Sequence, residues 1–243
     1  MDAIAVIPTY NEVENVRLLV PAILALSPEL SVLVVDDHSP DGTGDAVLRL
    51  APQFPGRVFL HARPAKLGLG TAYRDGLTHA FGIGRHRALF VMDGDFSHDP
   101  SAIPAILSAL ESADVAIGSR YVAGGQTSGW GLHRRIMSWT ANAVARRALR
   151  LSIRDCTSGF IAFRRSVVAR LDLAPAEAYA YGASLELKWL ARRAGLRIVE
   201  VPITFKNRER GVSKLGPRLV LDGAATVRRL WSAGRRKGSP TQG

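Results

Sequence analysis

The chain reads as an α/β protein built on a parallel sheet with helices on both faces. Three observations predict this. Short runs are apolar throughout, amphipathic stretches at helical spacing separate them, and acidic or glycine-rich turns stand where the runs stop. Strands of a parallel sheet are covered by helices on both faces, so they lose the alternation of apolar and polar residues seen in one-sided strands.

Each element follows in order. Ala3–Pro8 is the first strand, and Val13–Leu26 follows it at helical spacing. Ser31–Asp37 is the second strand, Gly44–Leu50 the second helix and Val58–Ala62 the third strand. Gly70–Phe81 is a helix and Ala88–Asp93 the fourth strand. Ser101–Glu111 is the next helix, with Asp99 as its cap and Pro100 in its first turn, and Asp114–Ser119 is the fifth strand. After Ser119 the rhythm changes. A glycine-rich loop at Ala123–Gly131 precedes a basic helical stretch, His133–Leu151. Then come the segment Thr157–Phe163, a helix at Ala183–Ala194 and a strand at Arg197–Phe205. The stretch Pro217–Trp231 sets Val220, Ala224, Val227 and Trp231 on one helical face, with Arg218, Arg228 and Arg229 elsewhere. The remaining RRKGSPTQG reads as a frayed tail.

With 243 residues, 47% of them hydrophobic, the chain buries a proper core and is not a disordered polymer. The lone cysteine, Cys156, excludes an internal disulfide, and no cysteine–histidine cluster suggests zinc. The N-terminus runs straight into a strand and no apolar stretch reaches membrane-spanning length, so a cytoplasmic protein is expected. A formal charge of +11 favours polyanionic partners. The first 56 residues are acidic, whereas arginines crowd residues 133–170 and 192–237. A phosphate-binding sheet domain with a basic flank toward lipid has this distribution. No recognition helix, aromatic RNA-binding strand pair or zinc finger is present, so nucleic acid is not expected as a partner.

The most informative stretch is MDGDFSHDP, residues 92–100. Asp93 and Asp95 follow directly on a buried apolar run, at the strand end where open α/β sheets carry their ligands. Alternation along an extended backbone turns both acids to one side, where they repel unless a cation sits between them. Oxygen-only ligands favour Mg²⁺ or Mn²⁺, shared with substrate phosphates. A calcium loop starting at Asp93 would need glycine and glutamate where His98 and Pro104 stand, so that reading falls. His98 is read as a local hydrogen-bonding residue rather than a ligand.

PTYNE (Pro8–Glu12) and DDHSPDGTG (Asp36–Gly44) end the first two strands. With the paired acids they put polar groups on one sheet edge. Tyr10 offers a ring face and a hydroxyl, and Asp37 can accept from base or ribose hydrogens. KLGLGTAY (Lys66–Tyr73) invites a dinucleotide reading, but Tyr73 stands where the third glycine belongs. Gly68 and Gly70 instead let the backbone pass close beneath a ligand, with Lys66 near phosphate. Arg120 in GSRY, Arg134 at the start of the basic helix, and Arg208 with Lys214 around RERGVSK are candidate phosphate contacts.

Taken together, PTYNE, VDDHSPDGT, KLGLGTAY, MDGDFSH, GSRY, the helix carrying Arg134, Ser138 and Asn142, DCTSGF and RERGVSKLG resemble the dolichol-phosphate mannosyltransferases. These are polyprenol-phosphate-mannose synthases, inverting family 2 glycosyltransferases, and the likeness runs in order through residues 4–216. The resemblance implies a GT-A (Rossmann-like) fold with a mixed, mostly parallel sheet flanked by helices, a GDP-mannose donor, a polyprenyl phosphate acceptor, and Mg²⁺ or Mn²⁺. By position, Pro8, Tyr10, Glu12, Val35 and Asp37 would hold the nucleotide, with Lys66 and Gly94 beside the nucleotide sugar. Asp93, Asp95 and Ser97 would hold metal and diphosphate. Arg120, Arg208 and Lys214 would contact phosphates, with Arg120 and Arg134 toward the acceptor.

Several residues depart from the family pattern: Gly94 for alanine, Ile161 for arginine, Asn207 for aspartate, and the small Gly182-Ala183-Ser184. They bear on sugar identity more than on reaction class. Residues 1–216 form the expected catalytic domain, and 217–243 a basic amphipathic helix and tail. The basic segments imply peripheral contact with the anionic cytoplasmic face of a membrane, and a membrane-embedded protein partner stays open. Two alternatives remain: a UDP-sugar-dependent transferase for glucose or N-acetylhexosamine, and a non-catalytic basic nucleotide- or nucleic-acid-binding module.

Overall fold

A computed structural model describes residues 1–84, 86–173, 182–207 and 217–236. The first half alternates β1 (Ala3–Thr9), α1 (Val13–Ala25), β2 (Leu30–Asp36), α2 (Thr43–Leu50), β3 (Val58–Ala62), α3 (Leu69–Ile83), β4 (Ala88–Val91), α4 (Ile103–Ala109) and β5 (Val115–Ser119). The second half holds β6 (Gln126–Thr127), α5 (Leu132–Leu149), β7 (Ile161–Arg164), α6 (Arg165–Val168), α7 (Gly182–Arg193), β8 (Ile198–Pro202), β9 (Thr204–Phe205) and α8 (Pro217–Arg236).

Seven strands form one sheet in the order β3-β2-β1-β4-β7-β5-β8. All run parallel except β7, which lies antiparallel between β4 and β5. The central strands are apolar because both faces are covered. Val6, Val35, Leu89 and Ile117 meet Tyr73 and Leu77 of α3 on one side. Ile7, Val34 and Phe90 meet α1 and α4 on the other. At Gly76 of α3 a Cβ atom would sit 2.5 Å from Val6 Cγ1 and 2.8 Å from Val35 Cγ2, so only glycine allows this helix to lie so close to the sheet.

Three details differ from the sequence expectation. β4 stops at Val91, so Asp93 and Asp95 lie in the bend beyond it and strand alternation does not orient them. The run Arg197–Phe205 is two strands, not one. Pro202 ends β8 without an amide donor, and Ile203 turns inward against Gly118, leaving β9 to pair with β6 in a separate two-stranded sheet. The third is the inward face of α8. Thr226 and Leu230 are buried and Val227 half-buried, whereas Ala224 and Trp231 are exposed. The expected face thus points largely away from the protein, while Val220 and Arg218 lie outside the described side chains. Arg229 of α8 pairs with the buried Glu186 of α7 at 2.7 Å. Among the described residues no helix is long and apolar enough to cross a membrane.

Candidate active site

The site forms at the carboxyl ends of three neighbouring strands, β2, β1 and β4. Each chain exit there turns through a left-handed residue that is not glycine: Asn11 (φ 58°), His38 (φ 57°) and Phe96 (φ 61°). Such conformations are uncommon outside glycine and gather at functional loops.

Side chains bind the first two exits together. Thr9 donates to Asp36 Oδ1 at 3.1 Å, and Asp36 also accepts from the Ser39 amide and hydroxyl. The amides of Asn11, Glu12 and Val13 donate to Ser39, Thr43 and Asp41. Asp36 and Asp41 are therefore occupied in shaping loops. Glu12 accepts from Asn15 at 2.6 Å in the first turn of α1. Val35 is fully buried against Gly76, so its side chain serves the core rather than the pocket. Pro8 is half-buried, its carbonyl oxygen lying beside Gly94.

Asp37 stands apart from this loop network. It is buried and ion-paired with Arg63, a residue whose side chain is 1% exposed. Burial pushes the Asp37 carboxyl above its ordinary range, the Arg63 guanidinium and the Gly68 amide pull it down, and the upward push prevails. The Lys66 ammonium lies 3.7 Å over the Tyr10 ring.

Gly94 packs on the end of β1, where a Cβ would approach Ile7 and Thr9 at 3.2 and 3.4 Å, bringing the acidic bend against that strand end. Asp95 is buried and accepts from both the Ser97 amide (3.0 Å) and hydroxyl (2.5 Å). Ser97 thus orients Asp95 through these bonds. Asp93 keeps 30% of its side chain exposed. Its amide donates to Nδ1 of the fully buried His98 at 3.1 Å, which leaves the ring proton on Nε2. Burial holds the imidazole below its ordinary pKa although Asp93 and Asp95 both pull it upward, so His98 is a neutral support beneath the two acids. Asp99 caps the turn Pro100–Ala102 by accepting from the Ser101 amide, as expected.

These carboxylates suit a hard divalent ion. Among the described residues no group of three or more His, Cys, Asp or Glu is arranged to enclose a metal. The protein therefore offers the paired acids, and water or phosphate oxygens would complete the shell, as is usual for Mg²⁺ and Mn²⁺. Gly159 keeps that space open: a Cβ there would stand 3.0 Å from Asp93 Oδ1 and 3.1 Å from the Tyr73 hydroxyl.

Gly159 belongs to the turn DCTSGF, which is held from every side. Glu200 accepts the amides of Arg154 and Asp155, and Asn142 of α5 accepts that of Cys156 at 2.6 Å. Lys188 of α7, wholly buried, donates to the carbonyls of Cys156 (3.0 Å) and Ser158 (2.6 Å). Burial lowers the Lys188 pKa to about 8. Asp155 grips Arg120 through two side-chain bonds of 2.8 and 2.7 Å and accepts its amide as well. The neighbouring guanidinium and ammonium hold Asp155 down to about 2 despite burial.

Arg120, expected at a phosphate, is thus committed largely to Asp155 and Thr157. It still borders a cavity of about 520 Å³, lined also by Tyr121, Thr127, Arg135, Ile136 and Trp139. Arg134 lies over the Trp130 ring at 4.0 Å and donates to Asn207 at 2.7 Å. Ser138 meets the Tyr121 hydroxyl at 2.7 Å. Arg208 and Lys214 lie outside the described residues.

Sequence reasoning brought Tyr10, Asp37, Lys66, Asp93 and Asp95 to one edge and missed Arg63, Asp155 and Lys188. A lone basic residue after a strand, or inside a helix, resembles a surface residue until its burial is known.

A mostly parallel sheet with one antiparallel insertion, carrying polar groups and two acids at the ends of its central strands, has the GT-A architecture of glycosyltransferases. The model of glycosyl transferase family 2 matches residues 4–172, and the chain belongs to that family. It is 44% identical over 214 residues to polyprenol monophosphomannose synthase of Mycolicibacterium smegmatis, covering 87% of this chain and 80% of that protein. It is 40% identical over 238 residues to undecaprenyl-phosphate mannosyltransferase of Micrococcus luteus, covering 98% and 97%. With dolichol-phosphate mannosyltransferase of Pyrococcus furiosus it shares 36% over 237 residues, 95% of this chain and 64% of that one. In fold it is similar to glucosyl-3-phosphoglycerate synthase of Mycobacterium tuberculosis, solved with Mn²⁺, UDP and glucosyl-3-phosphoglycerate. There the TM-score is 0.65 at 19% identity, over 99% of this chain and 81% of that one.

Proposed function

We propose that this glycosyltransferase moves mannose from GDP-mannose to a polyprenyl monophosphate with inversion, giving polyprenyl phosphate mannose and GDP. The observation that carries the proposal is the pair Asp93 and Asp95 at the exit of β4, beside β1 and the Tyr10–Asp37 pocket. The names of the three mannosyl-transferring relatives support the sugar and the acceptor.

An oxygen of the prenyl phosphate forms the new bond at the anomeric carbon from the face opposite the departing GDP, and the bond to the β-phosphate oxygen breaks. The nucleophile is already anionic, so no strong base is needed, in keeping with the neutral, buried His98. A bound Mg²⁺ or Mn²⁺ would supply Lewis-acid neutralisation of the charge growing on the diphosphate. Asp93 and Asp95 hold that position, while Tyr10, Glu12, Asp37 and Lys66 orient the nucleotide. Arg208 and Lys214 are assigned to the phosphates in this reading.

The cavity lined by Arg120, Arg135, Ile136 and Trp139 has the mixed chemistry a lipid phosphate requires. The exposed Leu132, Ile136 and Trp139 of α5 stand among basic residues and fit attachment to the cytoplasmic face of an anionic membrane. The test is a donor panel with a short-chain polyprenyl phosphate and Mn²⁺. Transfer from GDP-mannose at least ten times faster than from UDP-glucose or a UDP-N-acetylhexosamine is expected. Preference for a UDP-sugar overturns the donor assignment, and no transfer from any donor overturns the reaction.

A further inference from the structure

Arg63 has no part in the reaction described, yet its guanidinium lies buried against Asp37, a residue assigned above to the nucleotide. Nη1 donates to Asp37 Oδ1 at 2.5 Å and approaches the Gly68 carbonyl at 3.4 Å. Nη2 donates to Thr71 Oγ1 at 2.5 Å, and Nε lies 3.3 Å from Asp75 Oδ2. The Thr71 hydroxyl is within bonding distance of the carbonyls of Leu67 (3.0 Å) and Gly68 (2.9 Å). Gly68 itself sits at φ +99°, where only glycine is comfortable. Arg63 therefore links the carboxylate after β2, the first turn of α3, and the short segment that carries Lys66 onto the Tyr10 ring. All three would surround the base and ribose of a nucleoside diphosphate.

We propose that Arg63 is a positioning residue for the donor nucleotide, holding the Asp37 carboxylate in place and fixing the Lys66–Tyr10 wall. The inference rests on the nucleotide-binding role of Asp37 proposed above. Burial and the adjacent Asp36 disfavour the Asp37 charge, while Arg63 and the Gly68 amide favour it, and Asp75 lies beside the same guanidinium. Without Arg63 the disfavouring influences act nearly alone, and Asp37 takes up its proton at a higher pH. A lysine in place of Arg63 restores charge but cannot reach Asp37, Thr71 and Asp75 together.

The experiment is calorimetric binding of GDP in the presence of Mg²⁺, across pH, for wild type, Arg63→Gln, Arg63→Lys and Asp37→Asn. Arg63→Gln is expected to weaken GDP by about 10- to 100-fold. The pH at which binding fades on acidification should rise by about one unit. Arg63→Lys should return that pH toward wild type while still binding several-fold more weakly, and in turnover assays its donor KM should rise more than its kcat falls. A residue that only stabilises the fold would lower Tm and leave the pH of fading unmoved, and that result overturns the proposal. GDP binding unchanged in Arg63→Lys also overturns it, which keeps the test decisive if the glutamine variant does not fold. Should Asp37→Asn bind GDP as wild type does, the nucleotide role of Asp37 fails first. If only Asp37→Asn loses binding, the positioning role of Arg63 fails alone.

Discussion

Asp155 illustrates how single buried residues hold the site in shape. Its carboxylate fills no pocket, but it fixes Arg120 and the turn whose Gly159 backs Asp93. Folding lowers its pKa from 3.8 to about 2, so the folded state binds the proton more weakly than the unfolded chain. The resulting stabilisation is fully present above about pH 4 and is lost as pH falls toward 2, a difference of about 2 kcal/mol. Urea unfolding between pH 5 and 2 should show that loss. Asp155→Asn should remove this pH dependence and lower stability by about 3–5 kcal/mol, because Arg120 is left buried with its partner gone. The paired acids were legible because charged residues directly after an apolar strand are informative by position. Arg63 and Lys188 were not, since their sequence neighbours look the same whether the side chain is buried or solvated.

At the scale of elements, the strands β1 to β5 announce themselves as apolar runs bounded by turn residues, and the structure finds all five. β7 was hidden. Its four residues, Ile161–Arg164, follow directly on the DCTSGF turn, and nothing local says that they enter the sheet antiparallel between β4 and β5. That insertion is a tertiary fact, and it brings Gly159 beneath the acids. α5 carries a prediction of its own. Leu132, Ile136 and Trp139 are 73%, 56% and 64% exposed, an unusual outlay of apolar surface for a helix with arginines in its last turn. Sedimentation with vesicles should show binding that rises with anionic lipid and weakens with salt, each basic residue near the surface contributing about 1 kcal/mol. Trp139→Ser should reduce binding several-fold at constant charge. Binding indifferent to anionic lipid, salt and Trp139 would contradict a membrane role for this face.

Over the whole molecule, the two halves of the chain divide the labour. In the proposed reaction the ends of β1, β2 and β4 in the first half take cation and nucleotide, and the second half supplies helices α5, α7 and α8. The central claim is that Asp93 and Asp95 hold a divalent ion against the diphosphate as it leaves. The most direct measurement is mannosyl transfer by chelator-stripped protein as Mg²⁺ or Mn²⁺ is restored, for wild type and for Asp95→Asn. The account predicts no transfer without metal, recovery in wild type, and a rate about 10²–10³ lower in Asp95→Asn with Tm unchanged. Full transfer in excess chelator, or by Asp95→Asn, would contradict it.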